Sequence, residues 1–451
     1  MPDLDIILRG ATVVTHLGET VEDMGIAGER IVAISPDIQA SCKNEIDLKG
    51  FHIFPGVIDA HVHFNDPGRA DWEGLDTGST AFAAGGGTLF FDMPLNSHPP
   101  TLDVESFDLK LSQGLAKSVT DFALWGGLVP QNIEHLESLA EHGVIGFKAF
   151  MSESGIADFS RADESTLRAG MKIAAQCRRL VAVHAESDTM TKNLAAKSVA
   201  EGRTSIRDYL NSRPVVAELE AIRMAIDISG ETGCALHIVH VSSGAGVALI
   251  AEAKGRGADV TCETCPHYLT LTEEDVERLG AVAKCAPPLR PADVQLRLWE
   301  QLNAGNLDTI GSDHSPAPAS MKGDANFFKV WGGISGVQHT LPLLLTSPHF
   351  SKNRALQTIA RLTSYNVARR FALPPAKHGI AVGAHADLAI VNLRDEFKVC
   401  AEDLLYRHRQ SPYIGRVLRG RLHQTILRGK TIFQNGKLVA KASGNLVKPI
   451  L

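Results

Sequence analysis

His61 and His63 stand two residues apart at the end of an apolar run and are followed at once by a polar stretch. In a strand, residues i and i+2 point to the same face, so two imidazoles there can grip one ion. Four more residues of metal-binding or titratable type lie at the ends of, or within, later apolar runs: Lys148 in Ile145-Gly146-Phe147-Lys148-Ala149-Phe150, then His184, His240 and Asp313. Most of the 18 histidines must be ordinary core or surface residues; it is position at successive strand ends that separates His61, His63, His184 and His240. Lys148 is the odd member, because a protonated lysine repels cations and cannot ligate them. Among apolar neighbours an uncompensated ammonium is costly, and its pKa should fall from the usual value of ~10.4. The neutral amine can then add CO2 to give a carbamate, an anionic two-oxygen group suited to bridging two divalent ions. All six are therefore expected ligands, with Lys148 as N6-carboxylysine.

Short apolar runs alternate with helix-compatible stretches about eight times between the two ends of the chain, as parallel strands with crossover helices require. Strands are expected at 54–64, 88–93, 122–128, 143–150, 180–184, 235–241, 259–264 and 308–312, with helices such as 77–84 and 216–228. Eight is the barrel number, and barrel chemistry sits at the carboxyl ends of the strands. Both termini read differently, as short strands and turns: 5–8, 11–15 and 25–34 at the start, 386–391 and 424–430 near the end. The expected fold is α/β, a (β/α)8 TIM-type barrel with a small discontinuous β-sandwich formed by both termini. Its expected domains are residues 1–54 and 380–451 for the sandwich and 55–379 for the barrel.

With 451 residues, 44% of them hydrophobic, the chain can bury a large core. A formal charge of −6, with both signs interspersed, gives no basic footprint for nucleic acid or an anionic membrane. The start, Met1-Pro2-Asp3-Leu4-Asp5, is acidic where a signal peptide would be basic. No apolar run approaches the ~18 residues of a membrane span, and a soluble, cytoplasmic protein is expected. Seven scattered cysteines fit reduced thiols; Cys262 and Cys265 form a lone C-x-x-C, read as two buried small residues rather than a zinc or redox pair.

The constellation resembles the amidohydrolase superfamily over nearly the whole chain. On that resemblance His61 and His63 match its H-x-H, Lys148 its carboxylated bridging lysine, His184 and His240 the histidines of the second metal, and Asp313 the strand-eight aspartate, so no ligand position is missing. Three segments look like the allantoinases: 55–69 with Trp72-Glu73-Gly74, Asp92-Met93-Pro94-Leu95-Asn96-Ser97, and Ser312-Asp313-His314-Ser315-Pro316 joined to Trp331-Gly332-Gly333-Ile334-Ser335-Gly336. Dihydroorotases place an arginine two residues after the second histidine to pair with a substrate carboxylate; Asn65 stands there and suits a neutral ligand. Hydantoinases and dihydropyrimidinases carry a tyrosine shortly after the bridging lysine, whereas this run is Phe150-Met151-Ser152-Glu153-Ser154-Gly155. Two departures from the allantoinase pattern are Ser152, where some members have cysteine, and Ala286, where the related motif has serine.

The resemblance implies metal-dependent opening of the hydantoin ring of allantoin to allantoate in purine (ureide) degradation, with hydantoinase or dihydropyrimidinase activity as the alternative. A non-catalytic scaffold is a third reading, set back by the complete ligand set. The expected cofactors are two divalent ions, zinc by the His-rich donor set, with manganese or cobalt also compatible, plus CO2 for the lysine. Asp313 is the expected proton carrier. Asn65, Arg69, Asn96, Ala286, His314 and Gly333 are candidate substrate contacts. A homo-oligomer, as a tetramer, is implied by the resemblance alone.

Overall fold

The computed structural model describes residues 3–351 and 354–450; Met1 and Pro2, at the head of the acidic amino terminus, lie outside the described residues. Eight parallel positions close a barrel. Val57–Val62, Gly87–Asp92 and Asp121–Leu124 pair in that order. Gly126–Gly127 continues the third position, and Phe147–Phe150, Val181–His184, Leu236–Ile238, Val260–Thr264 and Thr309–Ile310 form the other five. Closure comes where the last strand meets the first: Val62 and His314 form a parallel bridge, and His63 N donates to His314 O at 2.8 Å. The helices cover the outside, among them Leu75–Ala84 and Val215–Thr232.

The expected first strand, 54–64, is two strands. His52–Pro55 belongs to the terminal sheet and Val57–Val62 to the barrel, with Gly56 between them. The break is steric: a Cβ at Gly56 would fall 2.2 Å from Thr88 Oγ1, so only glycine lets the chain pass so close to the neighbouring strand. The expected third strand divides likewise at Trp125, whose indole turns inward to donate to Ala60 O at 3.0 Å. The expected strands 5–8 and 11–15 are one strand, Leu4–Val14, with a register shift between Leu8 and Ala11.

Both termini share one mixed nine-stranded sheet. His52–Pro55 lies between Leu4–Val14 and Leu388–Lys398, pairing Ile53 with Ile390 and Phe54 with Ala389. Buried Leu8, Ile26 and Ile53 from the first end pack with Leu388, Ile390 and Ile426 from the second, which is why neither end need form a stable unit alone. The chain then returns to the barrel: Phe122 N donates to Asn445 O, and Val447 N to Phe122 O. Among the described residues no helix is long and apolar enough to cross a membrane, and all seven cysteines are free, Cys262 and Cys265 being buried.

Candidate metal centre and active site

The six sequence-predicted ligands converge at the carboxyl ends of the barrel strands. His61 Nε2 and His63 Nε2 lie 3.3 and 3.4 Å from Asp313 Oδ1, and the donor atoms of these three all fall within 4.8 Å of one another. The His61 and His240 rings are 5.4 Å apart, and His184 Nδ1 is 3.0 Å from His240 Nε2. Lys148 is fully buried, its Nζ 5.0 Å from the Phe150 ring centroid and without any hydrogen-bond partner. His240 and Asp313 follow the ends of their short strands with φ of 40° and 44°. Such conformations are strained for non-glycine residues and turn these side chains into the barrel mouth.

The electrostatics favour ligation. Burial pushes Lys148 down to about 7, against the pull of Asp313 and Glu263. Burial also holds His61, His184 and His240 below the usual histidine range, so their rings are neutral and keep a lone pair. Asp313 is held below the usual carboxylate range: burial acts to raise it, but His61 and His63 outweigh that. A buried amine with no acceptor, neutral imidazoles and an ionised carboxylate aimed at one volume are the donor set that divalent ions satisfy. The residues therefore fit a metal centre.

Groups behind the ligands orient them. His61 Nδ1 is 2.9 Å from Glu263 Oε1, Asn96 Nδ2 is 3.3 Å from His63 Nδ1, and His184 Nε2 is 2.8 Å from Glu186 Oε2. Asp59 accepts from the backbone N–H groups of His61 and Ser312, tying strand one to strand eight; burial pushes its carboxyl up to about 6. Glu263 sits in expected strand seven, from which sequence reasoning took no functional residue. An acid inside Val260-Thr261-Cys262-Glu263-Thr264 was the available signal. Glu186, two residues past His184, carried a similar one.

Above the ligands lies a cavity of about 300 Å³, lined by five of the six, all but Lys148. Asn96, Ala286 and Gly333 also line it, as do Arg213, Lys284 and Trp331, which sequence reasoning did not name as contacts. Three expected contacts lie outside the lining. Asn65 is buried, with Nδ2 3.5 Å from Pro316 O. Arg69 donates to Asn96 O and Ser97 O and pairs with Asp158, so it braces the loop that carries Asn96. His314 is fully buried and accepts from Gly336 N at 3.1 Å. Lys284 and Lys322 pin the wall around Trp331: Lys284 Nζ reaches Phe327 O and Val330 O, and Lys322 Nζ reaches Gly333 O.

Comparison with known proteins gives the family. Residues 52–432 match the model of the amidohydrolase family. A Rubrobacter xylanophilus protein named allantoinase is 53% identical over 449 residues, covering 100% of this chain and 98% of the relative. One of the same name from Deinococcus radiodurans is 52% identical, covering 99% of each. Among solved structures, the L-hydantoinase (dihydropyrimidinase) of Arthrobacter aurescens superposes with a TM-score of 0.95 at 33% identity, covering 99% of this chain and 100% of its own. Dihydropyrimidinase from Brevibacillus agri gives 0.91 at 30%, covering 98% of each. With a family match running from the last amino-terminal strand into the carboxy-terminal sheet, and relatives matched end to end, this chain belongs to the amidohydrolase family.

Proposed function

We propose that this chain hydrolyses the hydantoin-ring amide of allantoin to give allantoate, and that His61, His63, His184, His240, Asp313 and Lys148 as N6-carboxylysine would hold two divalent ions. The observation that carries the hydrolytic reading is the buried, unpartnered Lys148 amine among four histidines and an ionised Asp313. The choice of ring rests on full-length relatives named allantoinase at 53 and 52% identity, above the 33% of the hydantoinase structure. Hydantoinase activity is the second reading, favoured by that structure's TM-score of 0.95.

Bound metal would supply Lewis acidity, polarising the scissile carbonyl and lowering the pKa of a water to roughly 7. Asp313 projects between His61 and His63, and its low pKa keeps Oδ1 free to receive a proton at neutral pH. It takes the proton as the water oxygen adds to the carbonyl carbon, and returns it to the ring nitrogen as the C–N bond breaks. Ala286, Trp331 and Gly333 line the cavity where the ring would lie. Asn96 works behind His63 as well as lining the cavity; Asn65, Arg69 and His314 support the loops around it.

Zinc is the proposed metal on the nitrogen-rich donor set. Seven free cysteines support a reducing, cytoplasmic setting. A homotetramer follows from the resemblance and is testable by light scattering. The deciding experiment compares allantoin, hydantoin, dihydrouracil and dihydroorotate on zinc-reconstituted protein. Highest kcat/KM for allantoin is expected; preference for another ring overturns the substrate assignment.

A further inference from the structure

His184 is held unlike the other imidazoles. His61 and His63 turn Nδ1 to the groups behind them and Nε2 toward Asp313. His184 is reversed: Nε2 faces Glu186, and Nδ1 points inward, 3.0 Å from His240 Nε2. Phe150 stacks on the His184 ring with centroids 4.7 Å apart and planes 13° apart. Stacking fixes the plane of an imidazole but not which nitrogen lies on which side, because a half-turn about the ring's attachment leaves the plane unchanged.

We infer that Glu186 is the positioning residue that decides this, selecting the His184 tautomer that presents an Nδ1 lone pair to the metal centre. The inference rests on the metal reading proposed above. A neutral imidazole has one N–H and one lone pair. A carboxylate behind Nε2 puts the N–H there and leaves the lone pair on Nδ1. Glu186 has no exposed surface, and an unpaired carboxylate in such a place would be costly. Arg213 supplies the counter-charge, bonding the same oxygen, Oε2, that faces His184. Arg213 also packs on the Tyr209 ring and lines the substrate cavity, so the brace runs from cavity wall to ligand through one carboxylate. Asn96 also reaches from the cavity to a ligand, but as a neutral amide.

The test measures zinc retained by wild type, Glu186→Gln and Glu186→Ala after equilibration in chelator-buffered zinc, with the thermal midpoint of each metal-free protein as control. Glu186→Ala is expected to weaken one of two zinc ions by roughly 10- to 100-fold, the range for groups that orient a ligand histidine. Glu186→Gln, which keeps shape and an acceptor oxygen, is expected to lose less. In both, kcat for allantoin should fall with KM nearly unchanged. If Glu186→Ala does not fold, the Gln variant still decides. Both ions bound as tightly as in wild type, or zinc loss that merely tracks a lower metal-free midpoint, overturns the inference. A wild type that binds no zinc overturns the metal reading beneath it. Two zinc ions bound without turnover of allantoin sinks only the substrate assignment.

Discussion

Lys148 concentrates the physics of the site in one side chain. Its amine is fully buried, has no acceptor and is pushed by burial down to about 7. An amine in that state is available to CO2 at neutral pH, whereas one at ~10.4 is almost wholly protonated. Equilibrating the zinc-loaded protein with ¹³C-labelled bicarbonate should therefore give one protein-bound carbamate resonance. Lys148→Ala should abolish it, together with more than 90% of the activity. A resonance that survives the substitution would place the modification elsewhere. The candidate ligands could be picked out from residue identity and place in the chain, because histidine pairs at i and i+2 and a lysine in an apolar run are unusual. Glu263 was not, because an acid gains its meaning from the residue it faces, and His61 is 202 positions away; Glu186, two residues past His184, carried a signal that residue type alone did not distinguish from an ordinary loop acid. The loops placed Asn65, Arg69 and His314 near the mouth in sequence, but their side chains turn to backbone groups rather than into the cavity.

At the scale of elements, three strands cooperate to orient one imidazole. Strand seven supplies Glu263, strand one His61, and Gly311, just beyond strand eight, leaves the room between them. A Cβ at Gly311 would fall 2.5 Å from Glu263 Oε2. Gly311→Ala should displace that carboxylate and loosen His61, weakening zinc binding by about tenfold while circular dichroism stays native. Unchanged zinc affinity would show that the Glu263 contact is dispensable. Strand count and order were legible because fully buried parallel strands read as apolar runs. Their lengths were less so: expected strand six, 235–241, narrows to Leu236–Ile238, and the chain beyond it turns His240 into left-handed backbone. Apolar character continues past the last ladder hydrogen bond because those residues still pack in the core, so hydrophobicity overstates strand length.

For the whole molecule, the terminal sheet is tied to the barrel by charge as well as by packing. Lys377 Nζ bridges Asp121 Oδ2 at the start of a barrel strand, 2.7 Å away, and Asp387 Oδ2 beside the terminal sheet, 2.6 Å away. Arg428 joins the same Asp121. Lys377 and Asp121 are almost fully buried, so Lys377→Met leaves two carboxylates facing each other with only Arg428 to compensate. A loss of about 3 to 5 kcal/mol in unfolding free energy is expected, with kcat per folded molecule unchanged because the cluster does not line the substrate cavity. Denaturant titration alongside activity checks both halves. The discontinuous β unit was legible from the like texture of the two termini. The strut was not, since Asp121 lies 256 positions from Lys377 and 307 from Arg428, and residues so far apart carry no mutual signal.

The most direct test of the account is a zinc titration of metal-free protein that follows conversion of allantoin to allantoate, with Lys148→Ala in parallel. The expected result is negligible turnover without metal, activity that rises to a plateau as two zinc ions bind per chain, and none in the variant. Full turnover in rigorously metal-free protein, or a Lys148→Ala variant that matches wild type, would contradict it.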